Sequence, residues 1–223
     1  MSASGQETEA KFLVRDLNGI RSRLQELGAR LLQERVLETN IRFDLPGAIL
    51  RAEGRVLRLR RDTSTKFTYK SASTSEQGVL SREEIEFAVE DFEKAKRFLE
   101  ALGYQKLIYY EKYRTTYALG ASEGSVDSLG GEDGKPSEGF VHIMLDELPY
   151  GNFVEIEGET VNEIRAIADR LGLNWDVAIA TSYSILFDRA RTALNLSTQD
   201  LSFAEFRDIH VDAVHLGVQA ADM

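Results

Sequence analysis

Two glutamates and a lysine alternate at the start of the chain, at Glu7, Glu9 and Lys11. In a β-strand, residues two positions apart share one face, so these three side chains would point the same way. Ala10 and Phe12 would point the opposite way and suit a hydrophobic core. Carboxylates crowded on one face repel one another, and a bound divalent cation relieves that repulsion. The motif is compatible with a cation site or with a solvated strand edge. Its recurrence along the chain favours the cation site.

The same alternation of glutamates occurs at two further places. Glu84 and Glu86 form one pair, and Glu155 and Glu157 form the other. Each of the three acidic strands is followed by a stretch with helical apolar periodicity that ends in Leu-Gly. The predicted N-caps are Asp16, Asp91 and Thr160, and the predicted C-terminal glycines are Gly28, Gly103 and Gly172. The chain therefore predicts a pseudo-repeat of three strand–helix units.

Basic residues alternate with other residues in the remaining strands. They are Arg58, Arg60, Lys66, Lys70, Arg82, Lys112 and Arg114. The wet side of a half-exposed sheet usually carries small polar residues, whereas a face built from Glu, Lys and Arg favours a closed barrel with a charged lumen. Such a lumen could bind an anion through its basic wall and divalent cations through its acidic wall.

Composition excludes several classes of function. The chain has 223 residues and a net charge of −10, which argues against nonspecific nucleic-acid binding. It has no cysteine, so disulfides, thiolate zinc sites and a cysteine nucleophile are excluded. The three histidines, His142, His210 and His215, do not form a metal-ligand cluster in the sequence. No apolar run is long enough to span a membrane and no signal peptide is evident, so we expect a cytoplasmic protein with no membrane partner.

The order of elements predicts an α+β fold rather than a doubly wound sheet. Strands are predicted at about 7–14, 30–44, 55–62, 65–72, 80–89, 104–119, 140–148 and 152–159. Residues 45–55 are expected to form a loop or a short helix. The second of the three helices is expected to bury Phe92, Ala95, Phe98, Leu99 and Leu102.

Two segments lie outside this regular pattern. Residues 120–139 are rich in Gly, Ser, Asp and Glu, and we expect a mobile hairpin insertion, either a lid or an ordinary surface loop. Residues 181–195 and 198–216 are predicted to be helical. The tail would cover one end of the barrel or contact a second subunit, so a homodimer remains open. We therefore divide the chain into a barrel domain, 5–189, and a C-terminal helical extension, 190–223.

Taken in chain order, the motifs resemble the CYTH superfamily, the triphosphate tunnel metalloenzymes, which joins class IV adenylate cyclases, thiamine triphosphatases and bacterial inorganic triphosphatases. The resemblance runs from about Glu7 to Leu186. Its carriers are Glu7, Glu9, Lys11, Arg58, Arg60, Lys70, Arg82, Glu84, Glu86, Lys112, Arg114, Asp146, Gly151, Phe153, Glu155, Glu157, Ser182 and Tyr183. It implies an α+β fold built on an eight-stranded antiparallel β-barrel, the triphosphate tunnel, with helices packed outside.

The resemblance also implies a role for each group of charged residues. The ligands of one or two Mg²⁺ or Mn²⁺ ions would be Glu7, Glu9, Asp146, Glu155 and Glu157. The substrate-binding residues would be Lys11, Arg58, Arg60, Lys70, Lys112 and Arg114. The catalytic residues would be Lys70, Glu84 and Glu86.

The resemblance implies an enzyme that acts on a small molecule containing a triphosphate, either tripolyphosphate or ATP, in a metal-dependent reaction. Hydrolysis of a phosphoanhydride bond is favoured. The alternative is a class IV-type adenylate cyclase, which converts ATP to cyclic AMP and pyrophosphate. Two alternatives to an enzyme are a noncatalytic module that binds polyphosphate or a nucleotide and a structural barrel whose charges form only a salt-bridge network.

The chain departs from the family pattern at several positions. Asn40 stands where relatives often have Asp, and Arg42 stands where an aromatic residue is common. Ser182 occupies a position where thiamine triphosphatases tend to carry Lys. The single tryptophan, Trp175, lies beyond the third helix and not beside Arg58. These departures argue against a thiamine-specific enzyme.

Overall fold

The structure is a computed structural model that describes residues 6–76, 78–120 and 140–222. Its strands are β1 Gln6–Val14, β2 Arg30–Asp44, β3 Val56–Arg61, β4 Thr65–Lys70, β5 Thr74–Glu76, β6 Val79–Val89, β7 Gln105–Gly120, β8 Phe140–Leu148 and β9 Gly151–Glu157. Its helices are α1 Leu17–Glu26, α2 Ile49–Ala52, α3 Phe92–Ala101, α4 Val161–Arg170, α5 Tyr183–Ala193 and α6 Ala213–Leu216, and a 3₁₀ turn covers Trp175–Val177. None of these helices is long and apolar enough to cross a membrane. The predicted insertion lies outside the described residues beyond Gly120.

Eight strands form a closed antiparallel barrel. Their order is β1-β9-β8-β7-β2-β3-β4-β6, and β6 pairs back with β1 to close the ring. Closure satisfies the backbone hydrogen-bonding groups that an open sheet would leave at its edges. The short strand β5 pairs with the start of β6 as a ninth strand, which the sequence pattern did not indicate. The predicted α+β barrel with external helices is confirmed.

The outer surface of the barrel carries most of the hydrophobic core. Helices α1 and α4 pack over β1, β8 and β9, where Leu24, Ile167 and Ile156 are fully buried in one cluster. The predicted N-caps are confirmed: the side chains of Asp16, Asp91 and Thr160 accept hydrogen bonds from the backbone three residues ahead. The chain leaves the three helices through Gly28, Gly103 and Gly172 at φ of +72°, +90° and +69°, a conformation that favours glycine.

Helix α3 covers β2, β3 and β4, but with a narrower apolar face than predicted. Phe92, Ala95 and Leu99 are buried against the barrel. Phe98 is 59% exposed and Leu102 is 57% exposed, so the prediction that they are buried is wrong. These two residues share a stripe of the helix that is rotated away from the side facing the sheet.

The C-terminal segment differs most from prediction. Only Ala213–Leu216 is helical, so the helix predicted over 198–216 is wrong. Polar side chains explain the difference, since Thr198 bonds the backbone of Asp200 and Ser202 bonds the backbone of Glu205. Such local bonds compete with helical hydrogen bonds.

This C-terminal segment also shares a hydrophobic cluster with the barrel. Leu201, Phe206 and Leu216 pack with Phe153 of β9 and Leu186 of α5. The boundary that we placed between residues 189 and 190 lies within α5. The tail therefore packs over one end of the barrel, as one of the two predicted placements required.

Candidate functional site

The barrel strands turn mainly apolar residues outward and most of their charged residues into the lumen. On β1, for example, Ala10 and Phe12 face α1 and α4, whereas Glu7, Glu9 and Lys11 are buried on the other face. The polar and charged residues on the inward face include Glu7, Glu9, Lys11, Glu38, Asn40, Arg42, Arg58, Arg60, Lys66, Thr68, Lys70, Arg82, Glu84, Glu86, Lys112, Arg114, Asp146, Glu155 and Glu157. All the site residues predicted from the sequence are thus brought to one lumen.

An acidic wall runs along β1 and β9. Glu9 lies directly opposite Glu157, and Lys11 lies directly opposite Glu155. Lys11 forms ion pairs with Glu9 and, at 3.3 Å, with Glu155. The side chain of Glu157 forms no hydrogen bond or ion pair with another described residue, although its backbone pairs with β1 and β8. Burial and the nearby carboxylates, Glu7 above all, raise the pKa of Glu157 to about 8.

Glu7 occupies a different electrostatic environment on the same strand. Lys70 donates to one of its carboxylate oxygens and Arg82 donates to the other, the latter at 3.1 Å. Burial by itself would raise the pKa of Glu7, but Lys70 and Arg82 outweigh it and lower this pKa to about 2. Glu7 therefore stays ionised, while Glu157 holds a proton over much of the neutral range.

A fully buried carboxylate, Asp146, organises the lumen near α5. Arg114 donates to both of its oxygens at 2.6 Å. Lys112 donates to it at 3.1 Å, and the Tyr183 hydroxyl donates at 2.9 Å. Arg114 also reaches Glu155 at 2.8 Å and so joins β7, β8 and β9 through one guanidinium group.

Glu38 is a lumen residue that our motif analysis did not single out. It is 1% exposed, and it pairs with Lys112 at 3.6 Å and with Arg60 at 3.9 Å. The Asn40 side chain donates to it at 2.9 Å. Burial opposes ionisation, but Lys112 and the lumen arginines hold the pKa of Glu38 well below its usual range. The alternation of the polar residues Glu38, Asn40 and Arg42 along β2 is the sequence pattern that could have identified Glu38 as a lumen residue.

The basic wall is formed mainly by β3 and its neighbours. Arg58 donates to Thr68 at 3.2 Å and to the Tyr110 hydroxyl at 3.5 Å. Arg60 lies 3.6 Å from Glu86 and 3.4 Å from Asp62. The Nε groups of Arg42, Arg58 and Arg60 are buried and make no hydrogen bond in the described structure, although that of Arg60 is the atom 3.4 Å from Asp62. These three donors all suit an anion in the lumen.

The three residues predicted to be catalytic lie on β4 and β6. Lys70 lies opposite Glu84 and 3.3 Å from its carboxylate. Glu86 accepts from Lys66 at 2.8 Å and from Thr68 at 2.9 Å. Burial opposes ionisation of Glu86, but Arg60 and Lys66 outweigh it and lower its pKa. Burial and Glu7 raise the pKa of Glu84 despite the proximity of Lys70, so the two glutamates differ in basicity.

The acidic wall has the donor chemistry that a divalent cation requires. Glu7, Glu9 and Glu157 supply carboxylate oxygens from adjacent strands, and the raised pKa of Glu157 is a sign of uncompensated negative charge. Within the described residues, however, no three Asp, Glu or His side chains converge as a ready-made metal centre. Asp146 and Glu155 are held by Arg114. A cation would fit the Glu9–Glu157 side of the lumen, and Asp146 could join only by giving up part of its contact with Arg114.

The end of the lumen near α5 is lined by Tyr183. The Lys11 and Lys112 ammonium groups lie 5.5 and 5.3 Å from the centre of its ring. Its backbone carbonyl accepts a hydrogen bond from the Tyr150 hydroxyl at 2.9 Å. Trp175 lies outside the barrel, 5.9 Å from Phe12 between ring centres, and is thus remote from the basic wall.

The fold and the charged lumen define a tunnel barrel with opposed acidic and basic walls. The family model described as the CYTH domain matches residues 5–169. The chain belongs to the CYTH domain family.

Individual relatives share the same extent of chain. A protein of Methanocaldococcus jannaschii named "Putative adenylate cyclase MJ0240" is 29% identical over 178 residues, which cover 79% of this chain and 95% of the relative. A solved structure from Vibrio parahaemolyticus, which carries a similar name, has a TM-score of 0.65 at 20% identity and covers 83% of this chain and 99% of that one. A Hippeastrum protein described as a "putative adenylyl cyclase" with a dominant triphosphatase activity has a TM-score of 0.56 at 17% identity, over 82% of this chain and 95% of that one. At these identities the structural matches establish the shared fold.

Proposed function

We propose that this protein is a divalent-metal-dependent enzyme that hydrolyses a phosphoanhydride bond of a small triphosphate, either inorganic tripolyphosphate or a nucleoside triphosphate. The observation that carries the proposal is that the Nε donors of Arg58 and Arg60 are buried and make no hydrogen bond, the Nε of Arg60 having only Asp62 at 3.4 Å. Both arginines lie on β3, across the barrel from the acidic wall. Buried donors with no acceptor are costly, and phosphate oxygens satisfy the planar arginine fork especially well.

The basic residues would act as a linear cradle for the triphosphate. Arg58 and Arg60 bind non-bridging oxygens from β3, and Lys70 binds from β4. Three further cations already form ion pairs with Glu9, Asp146 and Glu155, namely Lys11, Lys112 and Arg114. They would interact with the ligand while keeping part of these contacts. Because these donors are fixed by the barrel before the substrate arrives, they stabilise developing negative charge without further reorganisation.

The acidic wall would hold the metal. Mg²⁺ or Mn²⁺ would be bound by Glu7, Glu9 and Glu157, with Glu155 and Asp146 as the remaining proposed ligands, and would neutralise charge on the phosphate oxygens. Glu84 and Glu86 would orient the water molecule that attacks phosphorus. Glu84 is the better proton acceptor of the two, because its pKa is raised whereas that of Glu86 is lowered.

Cyclisation of ATP is the second candidate function, and the name of the Methanocaldococcus jannaschii relative favours it. In that reaction the ribose 3′-hydroxyl would attack the α-phosphorus and pyrophosphate would leave. The same cradle serves both reactions. The described activity of the Hippeastrum protein favours hydrolysis within this fold.

A product assay tests the proposal. The purified protein would be incubated with Mg²⁺ or Mn²⁺ and, separately, with tripolyphosphate, ATP and thiamine triphosphate, and the products would be resolved by chromatography. We expect orthophosphate release that requires the metal and is fastest from tripolyphosphate. Formation of cyclic AMP and pyrophosphate would show that the protein is a cyclase and not a hydrolase. Tight binding of a substrate without turnover would show that it is a noncatalytic binding module.

A further inference from the structure

Arg42 differs from the other basic residues of the lumen in its partners. It lies directly opposite Arg58 on β3, and both side chains face inward, because Ile41 and Phe43 on either side belong to the outer core. Two like charges directly opposite each other on neighbouring strands destabilise a sheet unless something compensates them.

The compensation found at the other lumen cations is missing at Arg42. Arg58, Arg60, Lys70, Arg82, Lys112 and Arg114 each have a carboxylate within 4.0 Å. Arg42 has none among the described residues. Its Nη1 donates to the neutral hydroxyl of Ser184 at the start of α5, and its Nε is buried without a partner. Burial lowers the pKa of Arg42. Tyr110 opposes that shift, and the positive charges of Arg51, Arg82 and Arg58 add to it.

A guanidinium group whose Nε is buried without a hydrogen bond, that has other cations around it and that lacks a carboxylate has an unmet requirement for an anion. We infer that Arg42 and Arg58 together bind a phosphoryl oxygen of the triphosphate at the α5 end of the lumen. This inference rests on the proposed function. Ser184 holds the Arg42 side chain in place beside that position. This part of the lumen would accept the negatively charged polyphosphate chain and exclude a neutral base or sugar.

Binding of inorganic tripolyphosphate to the full chain, measured by isothermal titration calorimetry with Mg²⁺ present, tests this role. The Arg42→Gln variant should bind about 10- to 100-fold more weakly, which is the loss expected for one charge-assisted hydrogen-bonding group. The Arg42→Lys variant keeps the charge but loses the planar fork of donors. Its affinity for tripolyphosphate should lie between those of Arg42→Gln and the unmodified protein. Arg35→Gln is the matched control, because Arg35 lies on the same strand β2 and pairs with Glu147 in a partly exposed ion pair; its affinity should stay within about twofold of the original.

Thermal unfolding of the ligand-free proteins separates binding from a structural role. Arg42→Gln should leave the melting temperature unchanged or raise it, since it removes an uncompensated buried charge. A lowered melting temperature with unchanged affinity for tripolyphosphate would overturn the inference, and so would equal affinities of Arg42→Lys and the unmodified protein. If the unmodified protein itself fails to bind tripolyphosphate, the proposed function fails as well, which is a distinct result.

Discussion

Arg114 binds both carboxylate oxygens of Asp146, with its Nε and Nη2 atoms each 2.6 Å from an oxygen. The two residues lie directly opposite each other on β7 and β8, so the barrel register itself sets this geometry. Burial opposes the charge of Arg114, but Asp146 and Glu155 keep its pKa well above the ordinary value. Arg114 therefore stays charged, and both residues are fixed on two rigid strands.

Asp146→Asn should destabilise the protein by about 3–5 kcal/mol, because it leaves Arg114 and Lys112 buried beside a neutral group. Urea denaturation measures this loss. Glu147→Gln is a matched control one residue away, since Glu147 pairs with Arg35 in a partly exposed ion pair. That substitution should cost at most about 1 kcal/mol. Equal losses in the two variants would contradict the assignment of Asp146 to the buried network.

The stability of the metal-free protein should fall as the pH rises from about 4.5 to about 8, through the contribution of Glu157. The pKa of this residue is raised from 4.5 to about 8 on folding, so in this window the folded state binds a proton that the unfolded state has lost. Each pH unit then costs the folded state up to about 1.4 kcal/mol. Glu7 acts with the opposite sign and at lower pH, because its pKa falls to about 2.

The variant Glu157→Gln isolates this contribution. With a chelator present, its free energy of unfolding should decline less between pH 5 and 8 than that of the unmodified protein. The two curves would be measured by urea denaturation at each pH. Parallel curves would mean that Glu157 does not titrate in this range.

Arg60→Ala should lower kcat/KM for the preferred triphosphate by about 10- to 150-fold, the loss expected for a hydrogen bond to a charged group. Arg60 faces the lumen, whereas its neighbour Arg61 lies on the outside, where its guanidinium carbon is 4.6 Å from the centre of the Phe92 ring. Steady-state kinetics of Arg61→Ala should match those of the unmodified protein. If both substitutions reduce turnover equally, the lumen is not where the triphosphate binds.

Phe206→Ala should destabilise the protein by about 3–5 kcal/mol, because the C-terminal segment is part of the core cluster at the end of the barrel. Phe206 is 4% exposed, and its ring centre lies 5.9 Å from that of Phe187. Phe98→Ala provides the comparison, since Phe98 is largely exposed and should change stability by less than about 0.5 kcal/mol. A near-neutral Phe206→Ala would show that the tail is a dispensable extension, and calorimetric melting of both variants decides the question.

Much of the fold could be predicted because side chains in strands alternate with a period of two. The sequence around Glu7, Arg58 and Glu155 assigns an inner and an outer face to each strand without any knowledge of its neighbours. The N-caps at Asp16, Asp91 and Thr160 are equally local, because each side chain bonds the backbone only three residues away. The C-terminal segment was misjudged for a related reason, since local bonds from Thr198 and Ser202 overcame its apolar periodicity.

The sequence by itself determined which residues face the lumen and which pack outside, since both properties depend on neighbours along the strand. Only the tertiary structure decided which charges meet. Lys70 reaches Glu7 across 63 positions of the chain, and Arg114 reaches Asp146 across 32. Those pairings follow from barrel closure and strand register, which no local pattern specifies. They are also the reason why Glu157, among similar glutamates, is the one with a strongly raised pKa, and why Arg42, among the lumen cations, lacks a carboxylate.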